Sequence, residues 1–282
     1  MHLVGYQNKD VASKGTIYLN TFLSVSKGTA MTLGDITANP YDDSDGTYDV
    51  WDWTGFTPFI DFVQTMNTSG RFTGKYTYAP AGYAGTNNEG WYEYEDTSCS
   101  AIKNDISLPF THGFVLHAGD GTGGISPVIA FAGQVKSDAT VVPVENASML
   151  TGNCSPVDIT LGRITANSYN DEDGSYDVWD WTGFTPFVDF IQIMNDEGKF
   201  VGKYTYAPAG YAGSNIAGWY EYEDTACKSP MNNVEVKAGQ AFVVVAGDGA
   251  GGIAPTITIP SALRHLRCMA QCHALDKKGN KK

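Results

Sequence analysis

The sequence predicts an all-β protein made of two tandem antiparallel β-sandwich-like modules with a short basic C-terminal tail. Three observations carry this expectation. The chain repeats itself at an offset of 128 positions: Thr32–Cys99 and Thr160–Cys227 share 52 of 68 residues. The block YDVWDWTGFTPF (Tyr48–Phe59) returns at Tyr176–Phe187, and GKYTYAPAGYAG (Gly74–Gly85) returns at Gly202–Gly213. Apolar runs are short and bounded by Gly, Pro, Asn and Asp, and no part of the modules keeps a 3.6-residue apolar period over three turns. Composition agrees: aromatics reach 12%, charged residues only 17%, and there are 32 glycines, which suits turn-rich strands better than helices.

The repeat divides the chain into module one (1–132), module two (133–260) and a tail (261–282), each module being large enough to bury its own core. In module one the expected strands are Thr16–Val25, Tyr48–Trp53, Phe59–Met66, Phe72–Tyr78, Trp91–Asp96, Gly113–Ala118 and Pro127–Ala132. Alternation is clear in Val50-Trp51-Asp52-Trp53 and in Trp91-Tyr92-Glu93-Tyr94-Glu95, where every second side chain faces the same way. Seven short strands at this spacing fit an antiparallel sandwich. In the tail, LRHLRCMAQCHAL predicts a short basic helix and DKKGNKK a disordered end.

Charge is divided in the same way. Residues 1–260 carry a net charge of −18 and residues 261–282 a net charge of +5. Acidic modules argue against nucleic acid and anionic membrane as partners, because phosphate binding needs positive potential; they permit divalent cations. No stretch has the apolar length of a membrane span. The start, MHLVGYQNKD, has no apolar core of a signal peptide, so the expectation is a mature form or fragment of an extracellular or cell-surface protein. The five cysteines (Cys99, Cys154, Cys227, Cys268, Cys272) form an odd, asymmetric set and a poor disulfide framework.

Chemistry that belongs to the module should appear twice. The acidic turns do: Asp43, Asp45 and Asp49 around Gly46 match Asp171, Asp173 and Asp177 around Gly174. Several carboxylates in one flexible loop suit calcium, whereas Asp and Gly also favour a plain exposed hairpin turn; both readings stand. The six tryptophans lie three to a module: Trp51, Trp53 and Trp91, then Trp179, Trp181 and Trp219. They fill a core or form a platform for sugar rings. Within the loop PAGYAG, Tyr83 and Tyr211 are the exposed aromatic candidates for glycan stacking. The glycine string at Ala118–Ile125, repeated at Ala246–Ile253, reads as a hairpin, because a strand and not a helix follows it.

Catalytic hardware is sparse. His112 and His117 face Gln240 and Val245 in the other copy, so no module owns a repeated histidine and Ser–His or Cys–His mechanisms lose their base. The clusters Glu93/Glu95/Asp96 and Glu221/Glu223/Asp224 could supply a carboxylate pair, but exposed acids that discourage edge-to-edge pairing explain them as well. The expectation is a protein that is not an enzyme.

Two resemblances extend the reading. The order Val4-Gly5-Tyr6, then Gly90–Asp96, then Phe131-Ala132-Gly133-Gln134-Val135 resembles tandem β-rich modules of exported bacterial surface proteins. That implies a structural role and no catalytic residue. In the tail, Cys268-x-x-x-Cys272-His273 and the following residues to Gly279 resemble the haem-attachment segment of small c-type cytochromes, with one spacer residue more than usual. The resemblance implies thioether links from Cys268 and Cys272 and iron ligation by His273, with His265 or a neighbouring molecule as second ligand. A zinc-type cluster of His265, Cys268, Cys272 and His273 and a tail without a cofactor are the alternatives.

Three function classes follow. The first is a non-catalytic extracellular structural or surface-assembly protein, in which head-to-tail contact between copies would propagate a filament. The second is electron transfer, with the modules as scaffold for a c-type haem. The third is carbohydrate binding or adhesion through Tyr83 and Tyr211. Expected partners are other copies of the chain, or a cell-surface protein or glycan.

Overall fold

Residues 4–10, 15–26, 29–39, 41–42, 55–67, 71–119, 127–136, 138–144, 148–170, 183–195, 198–247 and 255–260 are described by the computed structural model. The all-β expectation holds for these residues: only two single-turn 3-10 helices, Leu33–Asp35 and Leu161–Arg163, interrupt the strands.

In repeat one the strands are β1 (Val4–Asp10), β2 (Thr16–Leu19), β3 (Leu23–Ser26), β4 (Thr29–Thr32), β5 (Ile36–Ala38), β6 (Phe62–Met66), β7 (Phe72–Ala79), β8 (Gly90–Glu93), β9 (Ser107–Leu108), β10 (Phe114–His117) and β11 (Val128–Val135). They form an antiparallel sheet in the order β2-β10-β6-β7-β8, and a second sheet in the order β1-β11-β3-β4-β9, with β5 also on β11. Repeat two adds β12 (Thr140–Pro143), β13 (Ser148–Gly152), β14 (Ile159–Thr160), β15 (Thr165–Ala166), β16 (Phe190–Met194), β17 (Phe200–Ala207), β18 (Gly218–Glu221), β19 (Glu235–Val236), β20 (Ala241–Val245) and β21 (Thr256–Ile259). Its sheets run β13-β20-β16-β17-β18, β12-β21-β15 and β14-β19.

The strand expected over Tyr48–Trp53 lies outside the described residues, the one expected from Phe59 starts at Phe62, and other expected boundaries change as well. The single strand expected over Thr16–Val25 is two strands in different sheets. Between them, Asn20 Oδ1 accepts the Thr21 N–H at 2.8 Å and Thr21 Oγ1 accepts the Leu23 N–H at 3.1 Å; such local side-chain bonds replace ladder bonds and turn the chain. The expected module boundary after residue 132 falls inside β11, because Gln134 and Val135 still pair with Ser24 and Leu23 of repeat one. Finally, the strand expected to reach Asp96 stops at Glu93, since the Asp96 carboxylate is taken up by the Ser100 and Ala101 N–H groups of the next turn. The offset of 128 also fails near the start of each repeat. Thr16 faces His117 and Ser148 faces Val245, so β13 matches β2 four positions later.

The two main sheets of repeat one share one buried cluster, in which Val63, Trp91, Phe114 and Leu116 meet Leu23, Met31, Ile129 and Phe131. Trp91 and Trp219 are fully buried, and their indole N–H groups bond to Ile36 O at 3.1 Å and Ile164 O at 2.9 Å. The satisfied polar edge lets a large ring enter the core without an orphaned donor. These two tryptophans are therefore core and not platform; the other four lie outside the described residues.

The repeats meet through one shared face. A separate apolar cluster contains Tyr18, Met66 and Val115 of repeat one with Leu150, Met194, Val243 and Ala241 of repeat two. These are matching positions: Val115 pairs with Tyr18 as Val243 pairs with Leu150. Phe110 packs against the core of repeat two, and its counterpart Ala238 packs against the core of repeat one. Backbone bonds seal the contact, from Asn20 N–H to Gly239 O at 3.0 Å and from Gly113 N–H to Leu150 O at 2.8 Å. The two copies thus contact each other reciprocally, as subunits do across a two-fold axis.

Candidate functional site

A polar staple shapes the loop ahead of β6. Thr57 donates its N–H to Asp61 Oδ2 at 2.7 Å, and Gly119 donates its N–H to Asp61 Oδ1 at 2.9 Å. Asp189 repeats this with Thr185 at 2.7 Å and Gly247 at 2.8 Å. Both carboxyls are 98–99% shielded, being 2% and 1% exposed. Burial pushes each up to about 6, against the lowering pull of the two N–H bonds. The Asp61 carbonyl also accepts the Thr77 hydroxyl at 2.9 Å, and that hydroxyl accepts the Phe59 N–H at 2.9 Å.

This network holds Phe59 in the left-handed region at φ 61°, and its counterpart holds Phe187 at φ 62°. For a bulky residue that conformation costs about 1–2 kcal/mol. The strained backbone aims each ring into an outward row of aromatics. In repeat one the row runs Tyr41–Tyr83 (5.9 Å between centroids), Tyr83–Phe59 (5.9 Å), Phe59–Tyr94 (6.4 Å) and Tyr94–Phe62 (5.4 Å). Repeat two reproduces it as Tyr169–Tyr211 (5.9 Å), Tyr211–Phe187 (5.9 Å), Phe187–Tyr222 (6.3 Å) and Tyr222–Phe190 (5.2 Å). Edge-to-face geometry predominates, as ring quadrupoles prefer.

Strand register places a lysine within each row. Gln64 faces Lys75 across β6 and β7, so Phe62, two residues earlier on the same face, lies diagonally beside it. Lys75 Nζ sits 3.3 Å from the Tyr94 ring centroid and 4.0 Å from that of Phe62; Lys203 lies 3.3 Å from Tyr222 and 3.9 Å from Phe190. Cation–π attraction holds both ammonium groups. Desolvation lowers the Lys75 pKa, partly offset by the nearby Glu95 charge. Among the described residues no carboxylate or hydrogen-bond acceptor reaches either ammonium, whereas Lys103 pairs with Glu93 at 3.1 Å.

Repeat one adds a cleft of about 510 Å³ lined by Ile60, Phe62, Lys75, Tyr94, His117 and Gly119, together with Ala118. The His117 ring stacks on Phe62 at 4.5 Å, and its Nδ1 lies 2.7 Å from Thr16 Oγ1. In repeat two Val245 faces Phe190 instead.

The expected glycan residues Tyr83 and Tyr211 are 38% and 40% exposed and belong to these rows. Asn87 and Asn215 fix their loops: the Asn87 amide donates to Pro80 O and its Oδ1 accepts the Ala84 N–H, both at 2.8 Å, and Asn215 does the same with Pro208 and Ala212 at 2.8 Å. The expected calcium residues Asp43, Asp45, Asp49, Asp171, Asp173 and Asp177 lie outside the described residues, as do the haem residues Cys268, Cys272 and His273. Among the described residues no three His, Cys, Asp or Glu side chains gather as a metal site. Cys99, Cys154 and Cys227 are buried free thiols.

Sequence reasoning missed Asp61, Lys75 and their counterparts. The available signal was an acid between Ile60 and Phe62, and again between Val188 and Phe190, at a position where a strand turns toward its core. No protein-family model matches the chain, and no curated protein or solved structure does.

Proposed function

We propose that the chain is a non-catalytic extracellular structural or surface-assembly protein, built from two β-sandwich repeats that work as one body. The observation that supports this reading is the reciprocal contact between repeats. It covers the same face of each copy and sets one side chain of each repeat, Phe110 and Ala238, against the core of the other. Among the described residues no helix is long and apolar enough to cross a membrane. The repeated polar chemistry, Asp61 and Asp189 above all, is spent on fixing loops. Electron microscopy of the purified chain at rising concentration tests the assembly role. Regular polymers or arrays support it, and monodisperse particles at every concentration count against it. Because the reciprocal contact closes on itself, assembly must use other surfaces, such as the sheet edges at β1 and β12.

A second reading, carbohydrate binding, is favoured by the two equivalent aromatic rows. Partly exposed rings on a fixed backbone offer stacking surface at little entropic cost. Glycan-array binding should be lost in the double variant Tyr83→Ala, Tyr211→Ala, and unchanged binding would remove the platform.

A further inference from the structure

We infer that the Lys75 cleft of repeat one, and the matching Lys203 position of repeat two, receive the carboxylate of an acidic sugar residue whose ring runs along the adjoining aromatic row. The inference rests on the carbohydrate-binding reading and names its ligand class.

Three observations carry it. The first is the state of the two lysines. An ammonium has three donors, yet among the described residues Lys75 and Lys203 meet only ring faces. The sequence holds 31 acidic residues against 18 basic ones, so a paired lysine is the easier arrangement for this chain. Among the described residues neither lysine makes an ion pair, although the Glu95 charge acts on Lys75. Lys75, which is partly desolvated, has more to gain from an incoming anion than a fully hydrated cation.

The second observation is the neighbourhood. The cleft of about 510 Å³ lies within the usual range of small-ligand sites, roughly 300–1,000 Å³. From Tyr94, which caps the ammonium, the row continues through Phe59 to the partly exposed Tyr83. A pyranose that places its carboxylate on Lys75 therefore meets ring faces along the direction in which its glycan continues.

The third is rigidity. The buried Asp61 staple and the left-handed Phe59 lock the loop beneath the row, and repeat two duplicates both features. The buried acid in each copy holds this backbone in one conformation, which is compatible with a preorganised recognition surface.

The wider field restricts the ligand further. A net charge of −13 and the Glu95 carboxylate beside Lys75 repel polyanions at long range. The field thus favours a glycan with few carboxylates over a polyuronate.

The test uses the full chain and two disaccharides: glucuronyl-glucose, and the same molecule with its carboxyl reduced to an alcohol, titrated by calorimetry. The acidic form should bind at least tenfold more tightly. The double variant Lys75→Met, Lys203→Met should lose that preference, while Lys75→Arg, Lys203→Arg should keep it; near-UV circular dichroism shows whether each variant retains native packing. Equal binding of both disaccharides, or an acidic preference that survives in the folded Met variant, overturns the inference and leaves carbohydrate binding standing. No binding of either disaccharide by the native chain overturns the inference; the glycan array then decides the broader reading separately. Inorganic phosphate that competes as well as the sugar acid overturns the sugar assignment.

Discussion

Phe110 and Ala238 occupy matching positions in the two repeats, and each packs against the core of the opposite one. The contact is therefore mutual but unequal: repeat one contributes a benzyl ring where repeat two contributes a methyl group. Removing the larger side should cost more. Phe110→Ala is expected to lower stability by about 2 kcal/mol, below the usual cost for a fully buried ring because Phe110 is only partly buried. Urea denaturation followed by tryptophan fluorescence measures this, and an unchanged midpoint would show that the ring adds nothing to the junction.

The junction is also tight at Gly113, where an added Cβ would lie 2.7 Å from Leu150 Cγ and 2.9 Å from Leu19 O. The corresponding residue in repeat two is Ala241, which is buried. Gly113→Ala should therefore overpack the contact and destabilise by about 1–3 kcal/mol, although the same residue is native at the matching site. Thermal unfolding of the single variant checks it.

Each core tryptophan donates to a backbone carbonyl 55 residues earlier in the chain. Trp91→Phe and Trp219→Phe should each cost about 2–4 kcal/mol, from the cavity and from the orphaned carbonyl of Ile36 or Ile164. The two costs should agree closely, since the two sites share geometry. Unequal costs in denaturant titrations would mean that the copies are not energetically equivalent.

Asp61 and Asp189 predict a pH dependence with a definite sign. Their folded values of about 6 lie above the ordinary 3.8, so the folded state holds their protons more tightly than the unfolded chain does. Their contribution is full below about pH 3.8 and is lost as pH rises through about 6. Within that window each carboxyl removes at most about 1.4 kcal/mol per pH unit. Melting temperatures between pH 4 and pH 7 should fall less steeply in Asp61→Asn, Asp189→Asn than in the native chain. Parallel slopes would contradict the assignment.

Two bulk measurements address the acidic turns and the tail. Calcium held at Asp43–Asp49 or Asp171–Asp177 would stabilise the native state by about 2.7 kcal/mol at a hundred times its dissociation constant. Equal melting temperatures in calcium and in chelator would remove that reading. Haem on Cys268 and Cys272 predicts a Soret band that shifts with dithionite in material from a haem-attaching host, and a colourless product would remove it.

Much of the fold was legible. The duplication, the β class and the strand at Phe72–Tyr78 could be read from spacing alone, because period-two alternation is local. The exposure of Tyr83 followed from its Gly-flanked loop. Asp61 was not legible in the same way: its burial depends on an N–H from Gly119, 58 residues away, and nothing near Asp61 announces that partner. The lysine rows were hidden for a similar reason, since the diagonal between Phe62 and Lys75 exists only once the β6–β7 register is set. The junction left a fainter trace. Tyr18, Met66 and Val115 put apolar groups on the outer face of a sheet whose inner face already had a core, which signals a second covering surface.

That covering surface carries a historical implication. A lone repeat with an uncovered patch of this kind would seek an identical partner, so the present chain has the form of a homodimer joined by a linker. Self-complementarity constrains every residue twice, once on each side of the axis. Fusion lifts that constraint and lets the halves specialise separately. Tyr18 against Leu150, Gly113 against Ala241 and Phe110 against Ala238 are substitutions that no symmetric ancestor could have carried on one side only.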